Sequence, residues 1–410
     1  MRTSKYLIIG SSHAAIEALR AIRAADEEGQ ITILTKDRYL PYSPTILPYV
    51  VSGRSDPDRV FIKDAAFLEE QNCEYVKEAE VVKLNPQRSL VRLKNGEEWG
   101  YEKLLIASGA SPVVPPLKGL GFVHYHVLRS LDDAIGLKKA TQKARNAVVL
   151  GGGLVGMHAA ENMIKCGLKV TLVERADQVL PGYFTQEAAK MIEDTFNAKG
   201  VDMRMGRMLI ELTPHNVVLD DGSRIDCDLL LLAAGVKPNI GFIEGTGIAA
   251  RQGILVDDHM RTNISNIWAA GDVAEAKGII TGETMLNGIL PDAVEQGRTA
   301  GQDMTDDEGL KPYLGGLPIN TYGFFGQQAI SVGVIDSPGA EIHETKSLGK
   351  YMRIVLKDGR LKGISGVNQM IDAGIMWQLI MRGDDLTSVK EIFFYNPLET
   401  GRSLMSAGWR

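Results

Sequence analysis

Short apolar runs ended by glycine alternate along this chain with stretches of helical periodicity, the pattern of strands joined by covering helices. Lys5-Tyr-Leu-Ile-Ile9 predicts a strand, Gly10-Ser-Ser-His-Ala-Ala15 a turn into a helix reaching about Ala25, and Gln30-Ile-Thr-Ile-Leu34 a second strand. The plan recurs as Asn146–Leu150, the turn Gly151-Gly-Gly-Leu-Val-Gly156, a helix through about Cys166 and the strand Lys169–Val173. Between the two copies, Val81–Leu93 and Tyr101–Ala107 read as strands joined at Asn95-Gly96. Val217–Leu219, the Asp221-Gly222 turn and the apolar run Asp228–Ala234 repeat that layout later. An acidic stretch from Asp303 to Gly309, followed by Pro312 and Gly315-Gly316, predicts a boundary before a last segment of mixed strands and helices. In that segment Met370–Met381 has the apolar spacing of a helix in a core or a subunit interface.

This reading gives an α/β protein with two Rossmann-like, three-layer ββα dinucleotide-binding domains and a smaller α+β C-terminal interface domain. Residues 1–113 and 242–315 form a discontinuous first domain, 114–241 the second and 316–410 the third. More than one domain is expected on length alone, because 410 residues exceed the ~250 at which single cores stop growing. Forty-five cationic and 51 acidic side chains, a net charge of -6, leave no broad basic footprint, so neither nucleic acid nor anionic lipid is an expected partner. The longest apolar run, Leu229–Val236, falls far short of the ~20 residues that span a membrane, and Tyr6–Ile9 is too short for a signal segment. No membrane insertion and a cytoplasmic address are therefore expected. Cys73, Cys166 and Cys227 stand apart. Their spacing excludes a CxxC pair, a four-cysteine zinc site and a cysteine-ligated iron–sulfur cluster within the chain, and each is expected to be a small apolar filler.

The glycine turns carry the candidate chemistry. In a dinucleotide fold the first glycine makes the strand-to-helix turn, the second admits the pyrophosphate and the third lets helix and sheet pack closely. Gly151, Gly153 and Gly156 fill those places, with Val155 inside the turn, and Glu174 ends the following strand on schedule. A carboxylate there accepts ribose hydroxyls and repels a 2′-phosphate, which favours NADH over NADPH, although Arg175 stands beside it. The first turn has Gly10, then Ser12 and Ala15 at the second and third places. Asp37 is the candidate ribose acceptor, with Thr35 and Lys36 between it and the strand. A third motif, Thr262 to Asp272, is a strand ending in Gly271-Asp272.

Taken in order, Gly10–Ala15, Leu105-Ile-Ala-Ser-Gly-Ala110, Gly151–Gly156, Ala234-Gly-Val-Lys-Pro-Asn239 and Ala270-Gly-Asp272 resemble the FAD-dependent pyridine-nucleotide-disulfide oxidoreductase superfamily over nearly the whole chain. The resemblance implies that Gly10, Ser12, Ala15 and Asp37 bind FAD, that the Val81 backbone holds its adenine and that Gly109 lies beside it. It also implies that Asp272 bonds the ribitol, that Arg129 reaches FAD and that Pro291 and Ala293 lie near the flavin ring. NAD(H) falls to Gly151, Gly153, Val155, Gly156, Glu174 and Gly235, with His158 where many relatives carry a glutamate near the nicotinamide.

Departures from the superfamily narrow the expectation. The redox cysteine of thiol-dependent members precedes a Leu-Pro-Tyr segment; here Thr45 takes that place before Leu47-Pro48-Tyr49, and a threonine forms neither thiolate nor disulfide. What remains is similar to rubredoxin, ferredoxin and nitrite reductase flavoproteins, although Pro41-Tyr-Ser-Pro44 only partly keeps their Pro-Tyr-Asp-Arg-Pro segment. More narrowly, the chain is similar to the flavin subunits of multisubunit 2-oxoacid dehydrogenases of the phenylglyoxylate type. Expected chemistry is hydride transfer between nicotinamide and flavin, with no catalytic side chain and no metal in the chain itself. Electrons are exchanged with an iron–sulfur protein or subunit, in a hetero-oligomer or a homodimer. Two alternatives stay open: a free-standing NADH:rubredoxin or ferredoxin reductase, and an NADH-sensing or assembly flavoprotein without turnover.

Overall fold

Tyr6–Ile9 is buried throughout, as a strand with both faces covered requires, and it pairs in parallel with Ile31–Leu34 on one side and Glu98–Ile106 on the other. The computed structural model, which describes residues 2–407, places this strand at the centre of the first of two compact units, built from Met1–Ile46, Asp58–Ser111 and Val236–Gly316. Its seven-stranded sheet runs Cys73–Val76, Ile31–Leu34, Arg2–Ile9, Glu98–Ile106, Leu90–Leu93, Val81–Asn85, with Ile267–Ala269 also pairing with Glu98–Ile106. The helix His13–Ala25 buries Ala14, Ala15, Ile16, Ala18, Leu19 and Ile22. It meets the helix Leu290–Met304 at glycines. A Cβ on Gly297 would lie 2.2 Å from the Ala14 carbonyl oxygen, and one on Gly301 2.6 Å from that of Ala18.

One expectation is corrected in this unit. The predicted strand Val81–Leu93 is broken at Pro86–Arg88 by a 3-10 turn that the Asn85 side chain caps, because proline brings no N–H to a ladder. The acidic stretch ahead of the boundary starts inside the core: Asp303 is 1% exposed, accepting from Arg261 Nη2 and Trp268 Nε1, each at 2.7 Å. A buried carboxylate is tolerable when it is paired in this way.

The second unit comprises Leu47–Pro57, Pro112–Gly235 and Leu317–Arg410. One sheet is parallel, in the order Asp202–Met205, Lys169–Glu174, Asn146–Leu150, Leu229–Leu232, Tyr125–His126. A three-stranded antiparallel sheet, Leu209–Leu212, Asn216–Leu219 and Arg224–Asp226, accompanies it. The C-terminal segment, expected to be a separate domain, forms its own five-stranded antiparallel sheet within this unit, in the order Ile319–Phe324, Gln327–Gly333, Arg360–Val367, Lys350–Lys357, Glu341–Ser347. Polar clasps tie it to the parallel sheet's helices. Thr185 Oγ1 donates to Tyr351 Oη at 2.9 Å, and Gln327 Nε2 donates to Thr195 Oγ1 at 3.1 Å. The apolar Met370–Met381 run becomes the helix Ala373–Arg382, which buries Met376, Leu379 and Ile380 and leaves Met370 exposed ahead of it.

No helix among the described residues is long and apolar enough to cross a membrane. No group of three or more His, Cys, Asp or Glu among them is arranged to hold a metal. Cys227 is buried and Cys73 partly so, but Cys166 is exposed, contrary to the expectation of a filler, because it caps the helix Leu154–Lys165 where the chain surfaces at Gly167.

Candidate functional site

The second glycine turn follows the strand Asn146–Leu150 and opens the helix Leu154–Lys165. Gly151 has φ +114, and a Cβ there would come within 2.3 Å of the Ala233 carbonyl oxygen. At Gly156 a Cβ would lie 1.9 Å from the Gly151 oxygen, so the third place admits no side chain. Gly153 differs, because a Cβ there would meet nothing within 4 Å. It is the N-cap of the helix and no side chain caps it, so free N–H groups and the positive end of the dipole face open space. That is the environment a pyrophosphate requires. Glu174 is buried beside it, accepting the Gly152 N–H at 2.6 Å and the Ala176 N–H at 2.8 Å. Each carboxylate oxygen keeps a further lone pair for a sugar hydroxyl. Val155 is exposed and Gly235 has φ +104.

The first turn repeats this construction. Gly10, φ +108, donates its N–H to Leu34 at 2.8 Å as Gly151 does to Val173 at 2.8 Å, and its Cβ would lie 2.1 Å from the Ala107 carbonyl oxygen. Ala107 and Ala233 each bond back to the fingerprint strand, at Ile9 and Leu150, both at 2.8 Å. Two residues further on, Gly109 and Gly235 both take positive φ. Ser12 is the N-cap of His13–Ala25, and its side chain makes no capping bond, leaving the hydroxyl for a ligand. Ala15 is fully buried.

Pairing register fixes which residue matches Glu174. Leu150 pairs with Val173 and Ile9 with Leu34, so the residue after the pair is Glu174 in one sheet and Thr35 in the other. Ser11 donates to Thr35 Oγ1 at 3.0 Å where Gly152 donates to Glu174. Asp37 stands two residues beyond this register, accepting from Tyr42 Oη at 3.0 Å. Sequence spacing alone did not single out Thr35 or Ser11; the strand register does.

Three further segments of the first unit converge on this turn. Gly271, φ +79, lies where a Cβ would meet Ala14 Cβ at 3.3 Å and Ala293 Cβ at 3.9 Å, and its N–H donates to Gln296 at 2.8 Å. The Asp272 carboxylate adjoins Gly288, whose Cβ would lie 3.4 Å from Oδ1. Pro291 and Ala293 occupy the first turn of Leu290–Met304. Asn239 clasps the segment around Gly109, donating its N–H to the Gly109 oxygen at 2.9 Å and its amide to the Ser108 oxygen at 2.8 Å. Gly10, Ser12, Ala15, Gly109, Asp272 and Ala293 are thus brought to one place. Val81 begins the outermost strand, Val81–Asn85. Arg129 belongs to the second unit, where its backbone N–H donates to Asp133 at 3.1 Å in the cap of Leu131–Thr141.

A hydroxyl chain stands at Thr45. Its Oγ1 and Ser43 Oγ share a hydrogen bond at 2.8 Å, and Ser43 Oγ shares another with His13 Nε2 at 2.9 Å. Burial holds the His13 imidazole below its ordinary value, opposed by the carboxylates of Glu17 and Asp272. Burial pushes the Cys73 thiol up to about 12 and Cys227 up to about 11, so both remain protonated and unreactive at neutral pH. On the second helix His158 is likewise held below its ordinary value by burial, with Glu161 opposing and Lys165 and Arg54 reinforcing.

Comparison with known proteins matches this geometry. Residues 4–299 fit the family model described as pyridine nucleotide-disulphide oxidoreductase. Over 415 aligned residues, 99% of this chain and 98% of the relative, the sequence is 48% identical to the NADH-dependent phenylglyoxylate dehydrogenase subunit epsilon of Aromatoleum evansii. It is 28% identical to the NADH-rubredoxin oxidoreductase of Clostridium acetobutylicum, covering 88% of this chain and 90% of that one. Among solved structures, a ferredoxin reductase from Rhodopseudomonas palustris superposes with a TM-score of 0.81 at 26% identity, covering 90% and 91% of the two chains. The two glycine turns therefore sit in a chain that belongs to the pyridine nucleotide-disulphide oxidoreductase family, whose members use FAD and NAD(H).

Proposed function

We propose that this protein is the flavin subunit of a multisubunit 2-oxoacid dehydrogenase of the phenylglyoxylate type, passing electrons between NAD(H) and an iron–sulfur subunit in the cytoplasm. The observation that carries the reading is that a threonine, Thr45, and not a cysteine stands before Leu47-Pro48-Tyr49. Thr45 and Ser43 put hydroxyls where thiol-dependent relatives place their redox cysteine, and burial keeps Cys73 and Cys227 protonated. With no thiol relay at this position, a carrier outside the chain takes up or supplies the electrons. Full-length similarity to a dehydrogenase subunit supports a permanent partner over a transient one.

FAD, when bound, exchanges a hydride with the nicotinamide and electrons singly with a one-electron partner. The protein's part is binding and orientation. In the first unit, Gly10 and Ser12 leave the helix N-terminus open to the pyrophosphate, and Ala15 packs the helix onto the sheet. Thr35 and Asp37 share the acceptor positions that Glu174 fills alone in the other turn. Asp272 accepts from the ribitol chain, Gly109 gives the cofactor backbone clearance, and Pro291 and Ala293 present the N-terminus of Leu290–Met304 to the flavin ring. Val81 offers its backbone to the adenine, and Arg129 is the further FAD contact that the family resemblance implies. In the second unit, Gly151, Gly153, Val155 and Gly156 hold NAD(H), Glu174 selects the ribose that lacks a phosphate, and Gly235 keeps its side clear. Residues 316–410 serve as the interface segment that meets the partner subunit.

Two measurements test this. Anaerobic NADH should bleach the oxidised-flavin band at roughly 450 nm within a turnover time, with NADPH much slower; flavin that stays oxidised rejects the reductase reading. Gentle purification from the native host should bring iron–sulfur subunits with the chain. Recovery of the chain alone, with full turnover on a soluble rubredoxin or ferredoxin, favours the free-standing reductase suggested by similarity to the rubredoxin oxidoreductase. Bleaching by NADH with no turnover on any electron acceptor supports the sensing or assembly reading.

A further inference from the structure

The helix that opens at Gly153 carries a second constellation about one turn in, at the edge of the C-terminal sheet. The His158 ring meets Tyr322 edge to face, with centroids 4.8 Å apart and planes at 81°. Tyr322 lies on the strand Ile319–Phe324 and is completely buried, stacked on Phe324 at 5.3 Å and 12°. Its hydroxyl, also buried, has no hydrogen-bond partner among the described residues. One helical turn after His158, Glu161 accepts the Phe325 N–H at 2.9 Å and pairs with Lys165. Helix and strand are thereby fixed against each other.

Packing alone does not account for this tyrosine. Its ring neighbours are Phe324 and the His158 imidazole, and a buried hydroxyl without a partner is destabilising relative to one that is paired. Phenylalanine would fill the space without that loss. The imidazole opposite also has unused capacity, since among the described residues neither ring nitrogen of His158 is hydrogen-bonded, and burial keeps it neutral, able to donate at one nitrogen and accept at the other. The charged groups around it, Glu161, Lys165 and Arg54, flank it without bonding to it.

We infer that Tyr322 is a positioning residue for NAD(H) binding: it aims the neutral His158 imidazole from the fingerprint helix and supplies the hydroxyl that this imidazole accepts from when its other nitrogen donates to the dinucleotide. Dinucleotide affinity is thereby tied to the packing of the C-terminal sheet. The inference rests on the reading of Gly151–Gly156 as the NAD(H) turn.

NAD+, which does not reduce the oxidised protein, is the probe, with calorimetric titration of the full FAD-loaded chain. His158→Gln should weaken NAD+ binding by roughly fivefold to tenfold, as loss of one hydrogen bond to the ligand predicts. Tyr322→Phe should weaken it about threefold to fivefold while the unfolding temperature stays level or rises, because an unpaired buried hydroxyl has been removed. The double variant should bind no more weakly than His158→Gln, since the two act as a unit. Histidine-labelled NMR supplies a readout independent of affinity, in which the His158 ring signals should move on NAD+ addition and move less in Tyr322→Phe. Wild-type affinity in Tyr322→Phe, or losses that simply add, would overturn the inference. Failure of the unaltered protein to bind NAD+ at all would instead overturn the dinucleotide reading beneath it.

Discussion

The two glycine turns have the same backbone and different chemistry. In both, a glycine of positive φ packs against a carbonyl oxygen of the neighbouring strand, at Ala107 or Ala233, and the residue after the first strand pair faces back into the turn. Yet the second turn has glycine at its third place, where 1.9 Å of clearance allows nothing else, while the first accommodates Ala15. The second closes on one carboxylate, Glu174, and the first on the hydroxyls of Ser11 and Thr35. On the proposed reading, the repeated backbone offers each turn to a dinucleotide, and the residue after the strand pair sets which one is preferred.

The sharpest way to break the comparison is to exchange the third place. Gly156→Ala should lose NADH reduction almost entirely, with stability lower by about 1–3 kcal/mol as the backbone shifts to admit the methyl. Ala15→Gly should cost about 1 kcal/mol of helix stability and leave flavin content intact. Flavin absorbance and denaturant titration of both variants decide it, and equal sensitivity would deny the difference. Next in size is Glu174→Gln, which leaves one of the two N–H groups of Gly152 and Ala176 without its acceptor. The KM for NADH should rise roughly tenfold and the preference over NADPH should narrow, since the lost bond is of the order of 1–3 kcal/mol. In the first turn the matching change, Thr35→Val, removes a weaker acceptor and should loosen FAD only about threefold, measured by flavin release on dilution. The smallest effect is on pH dependence. His13 and His158 are both held below the unfolded value of 6.5, so the unfolded chain binds more protons there and stability falls as pH drops below about 6.5. His158→Gln should flatten part of that slope in denaturation measured from pH 7.5 to 5, and an unchanged slope would remove His158 from the account.

Much of this was legible in the chain because it is local. Asn146–Leu150 and the helix starting at His13 follow from apolar runs and glycine spacing, which neighbouring residues settle among themselves. Gly10, Gly151 and Gly156 were readable because only glycine tolerates those approaches. What was not legible is set by distant parts of the chain. Thr35 acquires its place from strand register, Asp303 its burial from Arg261 and Trp268, and Tyr322 its meaning from a helix more than 150 positions earlier. The break at Pro86 was available in the sequence and was overridden by the apolar run around it.

The first unit's three-part construction also sets an order of assembly. Asp272 and the helix that covers His13–Ala25 through Gly297 are encoded after the whole of Pro112–Gly235. On a ribosome adding ~5–20 residues per second, the first 111 residues wait some 10–40 s for the segment ending at Gly316. During that interval the strand Glu98–Ile106 lacks its neighbour Ile267–Ala269, and the alanine face of the first helix is uncovered. If the proposed flavin contacts hold, flavin capture waits for that last segment, and a chain truncated before Gly316 should purify without the oxidised-flavin absorbance of the full chain.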